Sequence, residues 1–137
     1  MKKLLGALSL ASLVAIAAFG IASGADKKAE APKPVTMTGE IVDMGCYMGH
    51  GAMGESHAAC ATKCISMGMP MGLLTDKDKK LYLLTPPHDN QDAFNQCKEM
   101  AGTMVQMTGT VMDKDGMKAI TVTAVTKAPA ASTNKKS

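Results

Sequence analysis

Two β-branched runs, TMVQMTGTVM over 103–112 and MKAITVTAV over 117–125, flank Asp113-Lys114-Asp115-Gly116. Asp-Gly between such runs is a strong hairpin signal, because both central residues of a type I′ turn need positive φ. That hairpin makes the chain mainly β, and the remaining segments fit around it. VTMTGEIVDM, bounded by Pro34 and Gly45, is a further strand. GLLT and KLYLLT are short apolar runs joined by the polar turn Asp76-Lys77-Asp78-Lys79, a second hairpin that Pro86-Pro87 stops. After it, Asp89 or Asn90 can cap a helix reaching about Met100, with Ala93, Phe94, Cys97 and Ala101 spaced for one buried face. Gly102 supplies the left-handed residue that often ends a helix.

The order strand, strand, strand, helix, strand, strand is similar to that of an OB-fold, a five-stranded, partly open Greek-key barrel. The resemblance covers about residues 35–127 and extends to small bacterial periplasmic domains of that fold. Met37-Thr38-Gly39-Glu40-Ile41-Val42-Asp43 echoes Met107-Thr108-Gly109-Thr110-Val111-Met112-Asp113. Gly39 and Gly109 therefore suggest equivalent points where the sheet bends sharply.

Both ends of the chain read differently. Met1-Lys2-Lys3, the apolar run Leu4 to Ile21 and Ala22-Ser23-Gly24 have the three-part pattern of a secretory signal peptide over 1–24. The expected location is the periplasm or outside the cell, with a mature form that does not span a membrane. ADKKAEAPKP over 25–34 reads as a disordered tether and APAASTNKKS over 128–137 as a disordered tail.

Composition removes several functions. The chain has 15 lysines against 12 acidic residues, a formal charge of +3, and two of those lysines leave with the leader. A strongly basic footprint for nucleic acid or a polybasic membrane anchor is therefore absent. With no Trp and with Tyr47, Tyr82 and Phe94 as the mature aromatics, stacking platforms for bases or sugars are nearly missing. No phosphate loop, paired-carboxylate or Ser-His-Asp arrangement supports nucleotide or hydrolytic chemistry, and an enzymatic role is less favoured than binding. No Cys-x-x-Cys-His occurs, which excludes covalent haem c. Sulfur is what the chain has in excess, with 4 Cys and 13 Met.

Much of that sulfur falls between the first and second strands, in GCYMGHGAMGESHAACATKCISMGMP over 45–70. Gly45 to Gly54 reads as a glycine-rich loop. Ser56 is a candidate N-cap for a short helix from His57 to about Ser66, closed by Gly68. On that helix His57, Cys60 and Cys64 stand at i, i+3 and i+7 and share a face, onto which Cys46 could fold back. Thiolates and imidazole suit Cu(I) first and Zn second, so Cys46, His57, Cys60 and Cys64 form the candidate metal set. His50, Met48, Met53, Met67 and Met69 are possible additional ligands, and Glu55 a possible partner of a metal-bound histidine. Met37, Met104, Met107 and Met112 read as strand packing, and His88 as surface.

For the cysteines taken alone, disulfides are the default in an exported protein with an even number of them. Cys46 to Cys60 or Cys64, with the remaining helix cysteine to Cys97, would staple the insertion and second helix to the barrel. Against a Cys60–Cys64 bridge, Cβ atoms at i and i+4 lie about 5–6 Å apart, whereas a disulfide wants about 3.8 Å. Cys97 on its helix's apolar face could also be a lone packed thiol. Three functions follow: a soft-metal binding or chaperone protein working with a periplasmic partner, a disulfide-stapled ligand- or partner-binding module, and a thiol-disulfide exchanger using Cys60 or Cys64. The absence of Cys-x-x-Cys counts against the last.

The pattern GEIVDxxCY … HxxCAxxCIxxGxPxGLL … LYLL, here Gly39–Tyr47, His57–Leu74 and Leu81–Leu84, resembles a group of uncharacterised secreted bacterial proteins. It implies that Cys46, His57, Cys60 and Cys64 act as one unit. In architecture and ligand type the chain is also similar to a periplasmic Cu(I)/Ag(I) chaperone family with a small OB-like barrel. That family uses one His, two Met and a Trp, and this chain has no Trp. Cys-x3-Cys with a nearby His resembles, locally, the thioredoxin-like copper-delivery proteins of cytochrome oxidase assembly, whose βαβ frame is missing here.

Overall fold

The computed structural model describes residues 32–129. The leader expected over 1–24, and most of the expected tether and tail, lie outside them. Among the described residues there are five strands: β1 (Val35–Asp43), β2 (Met71–Thr75), β3 (Leu81–Thr85), β4 (Met104–Lys114) and β5 (Met117–Lys127). They close into a ring in the order β1-β2-β3-β5-β4, with β4 returning onto β1. Every pairing is antiparallel except β3 with β5, which run parallel from Leu83 opposite Ala119 to Thr85 opposite Thr121. Helices α1 (Met44–His50) and α2 (Ala58–Ser66), linked through a 3-10 turn at Glu55–His57, fill the β1–β2 connection. α3 (Asp92–Glu99) fills the β3–β4 connection.

β1 reaches both neighbours by dividing itself. Val35 to Glu40 pair with β4, and Gly39 to Asp43 pair with β2. Gly39 belongs to both registers, and a Cβ there would strike the Leu74 carbonyl oxygen. Gly109 repeats the arrangement beside a register shift at Thr108/Gly109, where a Cβ would strike the Thr121 carbonyl oxygen. The two echoed glycines are thus equivalent points of close strand approach. Asp115 (φ 52°) and Gly116 (φ 84°) both take positive φ, as the type I′ turn requires.

The core gathers Ile41, Leu73, Leu84, Val105, Met107, Ile120 and Val122 from the strands, with Ala61 and Ile65 from α2 and Cys97 from α3. Period-two alternation decides which methionines join it. On β4, Val105 and Met107 face inward. Met104 is out of phase with them and is exposed, and Met112 is exposed near the hairpin tip. Neither is the packing residue the strand assignment predicted. Met71, in contrast, is buried.

The insertion differs from expectation at two places. Its first part is not a loop but helix α1, because the Asp43 side chain accepts the Cys46 backbone N–H at 2.7 Å and caps it. That cap outweighs the helix penalty of Gly45 and Gly49, and Gly51 at φ 70° ends the helix. Ser56 does not cap α2: residues 55–57 form the 3-10 turn, and His57 occupies the N-cap without a side-chain bond. At α3 neither Asp89 nor Asn90 is the N-cap: Gln91 occupies that position without a side-chain bond, and Asn90 accepts the Asp92 N–H at 2.8 Å. Among the described residues no helix is long and apolar enough to cross a membrane.

Candidate metal centre

β1, α1, the 3-10 turn and α2 each bring one part of the centre. Asp43 ends β1 fully buried, at 1% exposure, with its Oδ1 committed to the Cys46 N–H. Cys46 follows in the first turn of α1. His57 closes the 3-10 turn, and Cys60 and Cys64 lie one turn apart on α2. The apolar stripe of α2, Ala61 and Ile65, packs into the core. Cys60 and Cys64 each precede a stripe residue by one position, a rotation of about 100° that carries them off the core face.

The insertion is seated by two contacts. Glu40, largely buried on β1, accepts the Gly54 N–H. Gly102, at φ +74° after α3, lies so close that a Cβ would sit 2.6 Å from Ala58 Cα and 3.0 Å from the Gly54 carbonyl oxygen. Helix α2 and the turn before it therefore rest on the joint between α3 and β4.

Two groups of possible metal ligands result, each with its donor atoms within 4.8 Å of one another: Cys46 with His57 and Cys60, and Asp43 with Cys46 and Cys64. All four residues assigned from the sequence are brought together, and Cys46 belongs to both groups. Cys60 and Cys64 fall in different groups, which is not the single shared site that their spacing suggested. Asp43 is the residue that sequence reasoning missed. An acidic residue three positions before a thiol at a strand-to-helix boundary could have marked it.

Asp43 Oδ2 and His57 Nε2 are buried without a hydrogen-bond partner, although leaving such groups unsatisfied costs about 1–3 kcal/mol each. Burial pushes the Cys46 thiol up to about 11, assisted by the negative charge of Asp43 and by the Cys64 and Cys60 thiols. Cys64 is raised as well, by burial first and then by its hydrogen bond with Cys60. The Asp43 carboxylate, three thiols and unpartnered lone pairs thus converge, which is how a cation site is built.

The other residues assigned as possible ligands are exposed. The His50 and His57 rings meet edge to face with centroids 6.4 Å apart, and His50 itself is exposed. Met48, Met53, Met67 and Met69 are exposed on the flanking segments, Met48 and Met67 at 71% and 68%. Met69 Cε lies where a Cβ on Gly45 would point, beside Asp43 Oδ1. Glu55 and His88 are exposed.

The stapled arrangement is corrected. All four cysteines are free thiols, none at disulfide distance from another. Cys97, fully buried on α3, donates its S–H to the Ala93 carbonyl at 3.2 Å and is pushed up to about 12 by burial. It behaves as a packed core residue. Compared with known proteins, the chain matches no family model, no curated protein and no solved structure.

Proposed function

We propose that this is an exported, OB-like barrel protein that binds and hands on a thiophilic d10 metal ion, Cu(I) before Zn2+. The reading is carried by one observation: Asp43 Oδ2 and His57 Nε2 are both buried and unpartnered beside Cys46, Cys60 and Cys64. Bound metal gives these orphaned atoms a partner and replaces the thiol protons. The exposed thioethers of Met48, Met53, Met67 and Met69 on the flanking segments favour copper, because thioethers are soft ligands. Their exposure also leaves them accessible to a periplasmic partner that receives or supplies the ion. Thiol-disulfide exchange is disfavoured, since attack requires a thiolate and the Cys46 and Cys64 thiols are both raised above their ordinary value.

Native mass spectrometry and free-thiol counting on protein recovered from the periplasm test the reading. Metal-bearing protein, or reduced protein that takes up Cu(I) and thereby protects Cys46, Cys60 and Cys64 from alkylation, supports it. Four oxidised cysteines with no uptake of Cu(I) or Zn2+ after reduction overturn it.

A further inference from the structure

We infer that the centre is built for two metal ions rather than one, with the Cys46 sulfur shared between them. The inference rests on the metal-binding reading above and concerns how that site is filled. Its donors divide into an outer triad, Cys46, His57 and Cys60, and an inner triad, Asp43, Cys46 and Cys64. Each triad contains its own buried, unpartnered polar atom, His57 Nε2 in the outer and Asp43 Oδ2 in the inner. One ion placed in either triad leaves the orphan of the other unsatisfied, whereas two ions satisfy both.

Cys46 is the only member common to the two triads, and it is the chemically suitable one. A thiolate sulfur keeps several lone pairs and can bridge two soft ions, and a histidine nitrogen offers one. Three donors complete the shell of a trigonal Cu(I) ion, but a structural Zn2+ ion asks for four. Two three-donor groups therefore match two Cu(I) ions better than they match one Zn2+. The triads also differ in access: the outer holds the exposed Cys60, the inner the buried Asp43. Ions enter and leave through the outer position, and the inner position retains its ion longer.

The test is a Cu(I) titration of the reduced, leader-processed chain under anaerobic conditions against a coloured Cu(I) chelator, with stoichiometry read by native mass spectrometry. The wild-type chain is expected to take two ions. Cys60→Ala and His57→Ala are each expected to keep one, Cys64→Ala to keep one, and Cys46→Ala to hold no bridged pair. Saturation at one ion overturns the inference while leaving the metal-binding reading intact, as does complete loss of binding in both Cys60→Ala and Cys64→Ala. Failure of the wild-type chain to bind any metal overturns that reading, and this inference with it. X-ray absorption on the loaded wild-type chain avoids variants that fold poorly: a Cu–Cu scattering vector is expected, and its absence at full loading overturns the shared-sulfur arrangement.

Discussion

Asp43 Oδ1 accepts the Cys46 N–H at 2.7 Å while Asp43 Oδ2, on the same carboxylate, has no partner. One oxygen starts helix α1 and so places a thiol, and the other stands open beside that thiol. Exchange of Asp43 for Asn keeps a capping oxygen and removes the charge. Asp43→Asn should leave the helical circular dichroism unchanged and weaken metal binding by roughly 10–100-fold. Asp43→Ala should lose the cap as well, at about 1 kcal/mol. With the carboxylate charge gone, the Cys46 thiol should titrate below its present value of about 11, which alkylation rates followed against pH would measure.

Stability of the metal-free protein should fall with alkali. Cys46, Cys64 and Cys97 are all raised in the folded chain above the ordinary value of 9.0. Below that value folded and unfolded chains are equally protonated, and the contribution is fully present. As pH rises beyond it the unfolded thiols lose protons first, and stability is lost until the folded values, about 11 for Cys46 and about 12 for Cys97, are passed. Urea denaturation at a series of pH values would show the midpoint dropping above about pH 9. The loaded protein should lack the Cys46 and Cys64 part of that drop, and its metal affinity should rise with pH because binding releases their protons.

Glu40 ties the turn before His57 to β1 through the Gly54 N–H. Glu40→Ala leaves that N–H to find water and frees the segment 51–57. Hydrogen exchange at Gly54 should accelerate, and loss of a charged acceptor should cost about 1.5–3 kcal/mol. The same change should weaken the outer position several-fold and leave the inner one nearly unaltered, which a two-step Cu(I) titration resolves.

Gly102 and Gly116 both have positive φ, at 74° and 84°, but a Cβ on Gly102 meets Ala58 at 2.6 Å while one on Gly116 meets nothing within 4 Å. Gly116→Ala should carry only the backbone penalty, on the order of 1 kcal/mol. Gly102→Ala should cost clearly more, because α2 must move off the α3–β4 joint. Thermal melts of the two variants compare them directly, and equal losses would count against the seating of α2 on that joint.

The ring of strands was legible because its signals are local: β-branched runs, Asp115-Gly116 at one hairpin, Pro86-Pro87 at the end of β3. Cys46, His57, Cys60 and Cys64 were legible as a set because all four fall between residues 46 and 64. Helix α1 was not, since Gly45 and Gly49 argue for a loop and the cap that overrides them depends on β1 ending at Asp43. Asp43 as a donor depends on the same boundary, where it pairs with Met71 of β2. Cys60 and Cys64 join different ligand groups because Cys46 meets both of them, and helix spacing does not encode where Cys46 lies. Met104 and Met112 failed as packing residues through the phase of β4 alone.

The parallel seam between Leu83–Thr85 and Ala119–Thr121 has a consequence for the order of assembly. Every donor of the centre lies between residues 43 and 64, so those loops are short and cheap to close, whereas the seam must enclose α3 and β4 before it can form. Metal capture is thus open to a chain whose ring is still incomplete. In pulse-labelled refolding with Cu(I) present, protection at Cys46 and Cys64 should precede protection at Leu84 and Ile120; the opposite order would mean that the ring must close before the ligands meet.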